Sequence, residues 1–413
     1  MTPEVRDRIE QIQHRNVPDG YKKTPSGVVP TEWTDARLGD IYAERKESGN
    51  ESLPLLMVSI HSGVSDGEVD EDDLPKKVKR IEDKSQYKRA AKGDLVFNMM
   101  RAWQGAIGTV RTEGMVSPAY IVAEPNNMVD PLFMDFYMKT NRMVHAIHRQ
   151  SYGVTDFRLR LYWDSFAPIQ CVLPSVSEQQ RIAEILTTQD KVIELKEKQL
   201  AEKQRQKKYL MQQLLTGKKR LPGFDGEWKQ EKLGKLFAER SETKCEHLEL
   251  LAITGTQGVI PRSLLDLKDN SSEDKSKYLH ICVGDIGYNT MRMWQGVSAY
   301  SNYDGIVSPA YTILKPKGNI NAKYFAYLFK MPEVVFLFYR YSQGLVDDTR
   351  NLKYENFKKI SVTYPENIEE QNAIVSILEN ADKEIDLLRQ DIKQEKQKKK
   401  ALMQLLLTGI VRV

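Results

Sequence analysis

The sequence predicts an α+β protein built twice, with two tandem homologous α+β domains separated by two long helices that pair antiparallel as a coiled coil. Three observations predict it. The stretch "MRAWQGAIGTVRTEGMVSPAY", Met100 to Tyr120, returns as "MRMWQGVSAYSNYDGIVSPAY", Met291 to Tyr311, displaced by 191 residues. Self-similarity at a fixed spacing is the signature of a duplicated architecture. Each copy is followed by a long charged stretch without Pro or Gly, ending in "LMQQLLTG" (Leu210–Gly217) and "LMQLLLTG" (Leu402–Gly409). Those stretches also carry apolar residues at seven-residue intervals, the spacing of a coiled-coil seam.

In chain order, residues 1–29 read as an N-terminal arm and 30–175 as the first mixed domain. Residues 176–217 are then the first helix, 218–366 the second mixed domain, and 367–413 the second helix with the C-terminus. "EWTDARLGDIYAER" from Glu32 matches "EWKQEKLGKLFAER" from Glu227 at a displacement of 195. Four net residues are therefore lost before the 191-residue block, and such an indel belongs in a surface loop. "LPLLMVSI", "GDLVFNMM" and "AYIVAEP" read as strands. "PLFMDFYMKTNRMVHAIHRQ" and "NAKYFAYLFKMPEVVFLFYRYS" read as amphipathic helices.

The first helix carries Leu186, Ile193, Leu200, Lys207 and Leu214 in one heptad row, beside Ile182, Gln189, Lys196, Lys203 and Leu210. The second carries Leu378, Ile385, Ile392, Lys399 and Leu406, beside Ile374, Ala381, Leu388, Glu395 and Leu402. Both seams are apolar at their ends and polar in the middle, so water or a partner is expected to fill the central zone. Gly217 and Gly409 read as left-handed caps. About 38 residues of helix would make a spacer of roughly 57 Å.

Composition limits the function more than it defines it. With 413 residues and 40% hydrophobic content, the chain can bury cores in two or three domains. A net charge of +4 leaves any nucleic-acid role to local clusters of Lys and Arg. Cys171, Cys245 and Cys282 have no paired spacing, which argues against a disulfide framework or a zinc site and fits a reducing cytoplasm. The charged N-terminus and the lack of any long apolar run argue against a secretory leader or a membrane span.

Catalytic signatures are nearly absent: there is no GxG or GKS/GKT loop, no HExxH, and no Asn-Pro-Pro or Asp-Pro-Pro sequence of the methyltransferase kind. Glu44 and Lys46, with Asp19 upstream, could be forced into a nuclease-like cluster, but the counterpart around Glu239 lacks the Lys. Charged surface residues explain these better.

The repeated turn is chemically richer. Arg101 and Arg292 offer a guanidinium suited to guanine O6 and N7, and Gln104 and Gln295 an amide suited to adenine N6 and N7. Trp103 and Trp294 either stack toward a base or pack under their own hairpins. "SPAY" reads as a tight turn with a buried ring. A second surface is "YGVTDFRLRLYW", with Tyr152, Arg158 and Arg160, echoed by "QGLVDDTRNLKYENF", with Gln343, Arg350 and Lys353. These stretches differ between copies where the scaffold does not, as two readers of two different sequences would. Lys76 and Lys77 in "PKKVKR" would add phosphate contacts in the first domain.

The duplication, the exits "SEQQRIAEIL" and "EEQNAIVSIL", and the helix ends "LMQQLLTG" and "LMQLLLTG" together resemble the specificity subunit of a type I restriction-modification system, from about Tyr21 to Gly409. The resemblance implies a non-catalytic chain with two target-recognition domains, each reading one half of a bipartite double-stranded DNA site. It also implies that the helices set the spacing and dock two methyltransferase subunits for adenine N6 methylation, through Ile182, Leu186, Ile193, Leu200, Leu210 and Leu214 and through Ile374, Leu378, Ile385, Ile392, Leu402 and Leu406. Two restriction subunits complete the implied complex, a site-specific deoxyribonuclease and methyltransferase. S-adenosylmethionine, ATP and Mg then belong to the partner subunits and no cofactor to this chain. Half-sites read from one side of the duplex would lie about 10 base pairs apart. A coiled-coil adaptor that binds only proteins is the alternative from the residues alone.

Overall fold

The computed structural model of the chain describes residues 2–25, 27–60, 63–65, 83–154, 159–255, 257–265, 274–346 and 349–413. The chain forms two compact units, Met1–Lys196 with Asp391–Val413, and Glu197–Gln390. Each takes one mixed domain and a half of each long helix.

In the first unit an antiparallel sheet runs in the order Tyr42–Glu44, Tyr120–Pro125, Leu95–Asn98, Ile107–Thr109. Side chains alternate across a strand. Leu95 and Phe97 therefore enter one core with Ile121 and Ala123, while Val96 and Val122 enter another. Burial on both faces explains the unbroken apolar run "LVF". The second unit repeats the order with Phe237–Arg240, Tyr311–Pro316, Ile286–Asn289 and Ser298–Tyr300.

Two local expectations change. "LPLLMVSI" is a strand only at Val58–Ser59, paired with Gly63–Val64. Pro54 has no N–H to donate, and this segment instead holds Met115 through two single bonds, Leu56 N–H to Met115 O at 2.8 Å and Met115 N–H to Pro54 O at 2.9 Å. Each amphipathic stretch breaks into two helices, Pro131–Tyr137 with Asn141–Gln150, and Ala322–Leu328 with Pro332–Tyr341. Thr140 caps the second helix of the first pair, and Pro332 disfavours helical geometry at Met331.

The long helices span Val176–Leu214 and Ile368–Leu406. Within the first unit, Ile182 and Leu186 share a core with Leu406 and Leu407; within the second, Leu214 and Leu215 share one with Ile374 and Leu378. The polar seam positions bond acidic groups on the other helix. Lys196 donates to Asp391 at 2.7 Å and to Glu395 at 2.9 Å, Gln189 donates to Glu395 at 2.7 Å, and Lys399 meets Asp190 at 2.5 Å. In the second unit Lys203 meets Glu384 at 2.7 Å, and Lys207 pairs with Asp382, which also accepts from the Tyr327 hydroxyl at 2.7 Å.

The start of each long helix is tied to its unit by a buried Gln. Gln179 accepts from Asp130 N–H at 2.8 Å and donates to Pro174 O at 3.0 Å; Gln371 accepts from Asn321 N–H and donates to Pro365 O, both at 2.8 Å. The neighbouring Glu178 and Glu370, also buried, each receive an Arg from beyond the end of the other helix, Arg412 and Arg220. Gly409 and Gly217 make those ends possible. Both adopt positive φ, about 70°, beneath the rings of Trp33 and Trp228.

Replacing Arg220 with Ala leaves the Glu370 carboxylate buried and unpaired. The second unit should lose roughly 1–3 kcal/mol, read as a lower unfolding midpoint in urea, while Arg205→Ala, on an exposed helix face, stays near wild type.

Lys196 and Gln189 hold the Glu395 carboxyl down to about 2, against an ordinary value of 4.5. A depressed acid stabilises the fold above its ordinary pKa, and that contribution disappears as pH falls toward 2. The difference in Tm between wild type and Glu395→Gln should be full at pH 7 and close between pH 4.5 and 2. A difference that does not depend on pH would contradict the ion pair.

Candidate nucleic-acid interface

The repeated turn begins where a central strand stops. Asn98 and Asn289 end their strands, and their side-chain carbonyls accept from Met100 N–H at 2.9 Å and Met291 N–H at 3.0 Å. A single 3-10 turn follows, Ala102–Gln104 or Met293–Gln295, closed by a glycine in the left-handed region, Gly105 at φ 101° and Gly296 at φ 78°. Ala102 and Met293 are buried as plugs, and this turns Arg101 and Gln104, and likewise Arg292 and Gln295, to the exterior.

The two indoles pack. Trp103 Nε1 donates to Met100 O at 3.0 Å, and Trp294 Nε1 to Met291 O at 2.9 Å. Their rings lie half-buried against His148, 5.5 Å between centroids, and Tyr339, 6.2 Å. With the N–H groups engaged by backbone, each Trp braces the turn that displays Arg and Gln. The "SPAY" tyrosines, Tyr120 and Tyr311, follow the expected turn but are only half-buried.

The variable stretch leaves beside this turn. Leu161 N–H donates to Met99 O and Leu352 N–H to Thr290 O, both at 2.8 Å, and both leucines are fully buried. The stretch therefore closes on the strand end that carries the turn. Tyr152 and Arg160 exchange backbone bonds at 3.1 and 3.0 Å; Gln343 and Asn351 do so at 2.8 and 2.7 Å. Arg160, Gln343 and Lys353 are exposed, and Tyr152 lies against Tyr162. The Arg350 guanidinium stacks over Tyr339 at 4.1 Å and donates to its hydroxyl at 2.9 Å.

Each unit thus collects its own candidate groups on one edge: Arg101, Gln104, Tyr152 and Arg160 in the first, and Arg292, Gln295, Gln343, Arg350 and Lys353 in the second. Lys76, Lys77 and Arg158 lie outside the described residues. A cleft of about 550 Å³ beside the second turn is lined by Met291, Asn351, Lys353 and Glu239, whose carboxyl is raised by burial and by Glu355. Sequence reasoning missed Tyr339 and Phe336, stacked at 6.5 Å with Phe336 well exposed. The signal was present in "VVFLFYRY", which has more aromatics than one buried helix face can hold.

The seam residues of the long helices are placed differently from expectation. Ile182, Leu186, Ile193, Leu214, Ile374, Leu378, Ile385, Ile392 and Leu406 are buried, and Leu200, Leu210 and Leu402 half-buried. These seam positions face the chain's own interior because they are the row on which the helix halves and domain cores meet. The apolar groups facing outward on the helices are instead Leu195, Leu387 and Tyr209; Leu195 and Leu387 are equivalent positions of the repeat, 64% and 65% exposed. Glu44 pairs with Lys46 at 3.4 Å, and among the described residues it joins no cluster of metal-type ligands. Among the described residues no helix is long and apolar enough to cross a membrane.

Residues 252–396 match the family model described as "Type I restriction modification DNA specificity domain". The fold is shared with three solved structures. The HsdS subunit from Thermoanaerobacter tengcongensis has 17% identity and a TM-score of 0.51, covering 93% of this chain and 98% of that one. The S subunit of a type I restriction-modification system from M. genitalium has 13% identity and a TM-score of 0.54, covering 91% and 96%. A chain from a study of complex assembly and conformational transition of the type I R-M system has 15% identity and a TM-score of 0.54, covering 93% and 99%.

The packing assigns separate roles within the turn. Trp294→Ala should destabilise the second unit by roughly 1–3 kcal/mol, below the range for a fully buried Trp, whereas Arg292→Ala and Gln295→Ala should each stay within about 0.5 kcal/mol. Urea unfolding measures all three, and a large loss for Arg292→Ala would mean that the arginine is structural.

Proposed function

We propose that this chain, which carries a type I restriction-modification DNA specificity domain, is the DNA-sequence-recognition subunit of a type I restriction-modification complex, without an active site of its own. Each unit reads one half of a bipartite site, with the gap set by the long helices. The observation that carries this reading is the same exposed Arg and Gln pair, braced by a packed Trp, beside a stretch whose side chains differ between copies. A guanidinium bonds guanine O6 and N7 in pairs and a primary amide bonds adenine N6 and N7, so the turn suits direct major-groove readout. Exposed Arg160 and Lys353 suit phosphate or base contacts that set register.

Two methyltransferase subunits dock on the outward helix faces at the equivalent Leu195 and Leu387, and they supply the S-adenosylmethionine chemistry at adenine N6. Two restriction subunits, with ATP and Mg, supply translocation and cleavage. The test is single-molecule sequencing of adenine methylation on DNA from cells that express this chain with its cognate methyltransferase subunit. A split motif with a fixed unread gap is expected. Arg101→Ala with Gln104→Ala should relax one half-site and Arg292→Ala with Gln295→Ala the other, while Leu195→Glu with Leu387→Glu lowers methylation of the whole motif without changing its sequence. Equal loss at both halves from either turn variant would contradict the two-reader arrangement.

A further inference from the structure

The spacing of the cysteines and histidines suggests no metal site, yet folding of the second unit gathers Glu242, Cys245, His280, Cys282 and Asp304. His280 sits on the strand Leu279–Ile281, which pairs with Gly305–Val307. Cys282 follows the first of these strands and Asp304 precedes the second. His280 Nε2 is 2.7 Å from Asp304 Oδ1 and 3.5 Å from Cys282 Sγ, while its Nδ1 is 2.9 Å from Glu242 Oε2. The Cys245 thiol lies within 4.8 Å of the ligand atoms of Glu242 and His280. The backbone at Cys282 is held in place: its N–H donates to Asp285 Oδ2 at 2.9 Å, and Arg240 grips the same carboxylate at 2.7 Å.

The first unit supplies an internal comparison. There Arg89 takes the place of His280 and bridges Glu47 at 2.6 Å and Glu113 at 2.7 Å, the counterparts of Glu242 and Asp304. Ala91 stands where the second unit has Cys282, and Asn50 where it has Cys245. A guanidinium between two carboxylates is a complete ion-pair device and offers no donor to a metal. The second unit keeps both carboxylates but replaces the cation with an imidazole and adds two thiols. A charged imidazole alone would preserve the ion pair, and neither thiol is needed for that.

We propose that the second unit binds a zinc-class divalent cation through His280 Nε2, Cys282 Sγ and the Asp304 carboxylate, with Glu242 orienting the imidazole at Nδ1 and a water as fourth ligand. The donor types fit zinc. Zn–N and Zn–S bonds at a tetrahedral angle place N and S about 3.6 Å apart, close to the His280–Cys282 spacing of 3.5 Å. The Asp304 carboxylate, which bonds Nε2 directly at 2.7 Å, must swing out to about 3.3 Å to admit the ion. A carboxylate on the far ring nitrogen is the usual partner of a metal-bound histidine. Binding converts the Cys282 thiol to a thiolate and releases its proton, and any imidazole proton, to solvent, with no change of oxidation state. The site lies near the Asp285 end of the strand Ile286–Asn289, and the Arg292 turn follows the other end. Its role is therefore to pin strands of the second unit rather than to touch DNA.

The test uses the full chain, stripped with chelator and then dialysed against micromolar zinc or cobalt. About one equivalent of zinc should remain, and the cobalt form should show a thiolate-to-metal charge-transfer band in the near ultraviolet. Cys282→Ala and His280→Arg install the residues that the first unit carries, so folding is preserved, and each should abolish the band and the retained metal. Cys245→Asn, the other residue of that copy, should retain both. Zinc should raise the Tm of wild type and not of Cys282→Ala. No retained metal, an unchanged band in Cys282→Ala or His280→Arg, or loss of metal in Cys245→Asn would overturn the assignment.

Discussion

The reciprocal closure of the helix ends is the interaction on which the rest of the structure depends. Arg412 reaches Glu178 beside Gln179, and Arg220 reaches Glu370 beside Gln371. In the first unit this contact joins the last residues of the chain to a domain begun by the first, which is why Asp391–Val413 belongs with Met1–Lys196. Arg8 bonds to the Ile410 carbonyl, and the Tyr21 hydroxyl donates to Gly409 O at 2.7 Å, so the N-terminal arm depends on the same junction. A buried carboxylate left without its Arg is costly, and in each unit the Arg comes from just beyond the end of a helix of 39 residues.

Charge in the middle of the seam follows from that arrangement. The ends of each helix are wrapped by domain cores and can be apolar, whereas the polar positions between them meet charged groups of the other helix. Lys196 with Asp391 and Glu395 in the first unit, and Lys203 with Glu384 in the second, satisfy those positions at the surface. Exposed pairs contribute little stability individually, but they penalise other registers, the usual role of polar residues in a coiled-coil seam.

The two copies keep the scaffold and change the chemistry at defined points. Lys139 pairs with Asp135 at 3.0 Å in the first unit. Its counterpart Lys330 has Ala326 in place of the acid and donates instead to Gly296 O at 2.7 Å and Ser298 O at 2.6 Å. Burial pulls its pKa down to about 8, so the second turn is braced by a partly desolvated cation that the first lacks. The change from Arg89 to His280 is another such point. Alterations of this kind can accumulate because the sheet order and the Gln-anchored helix starts do not depend on them.

The sequence by itself determined the duplication, the long helices, the Gly caps and the α+β class, because these depend on local periodicity and on residues whose backbone preferences hold anywhere. It also identified the Arg and Gln turn, since a repeated polar phrase beside apolar strands has few structural reasons to persist. Only the tertiary structure decided that Trp103 and Trp294 pack, that the seam leucines face inward while Leu195 and Leu387 face out, and that Tyr339 lies under Arg350. Cys282 and His280 stand two residues apart in the chain, but Glu242 and Asp304 meet them only through strand pairing. A pattern along the chain records which side of an element is apolar. What that side, or a turn's side chain, finally touches is set by contacts between residues far apart in sequence, which no local period encodes.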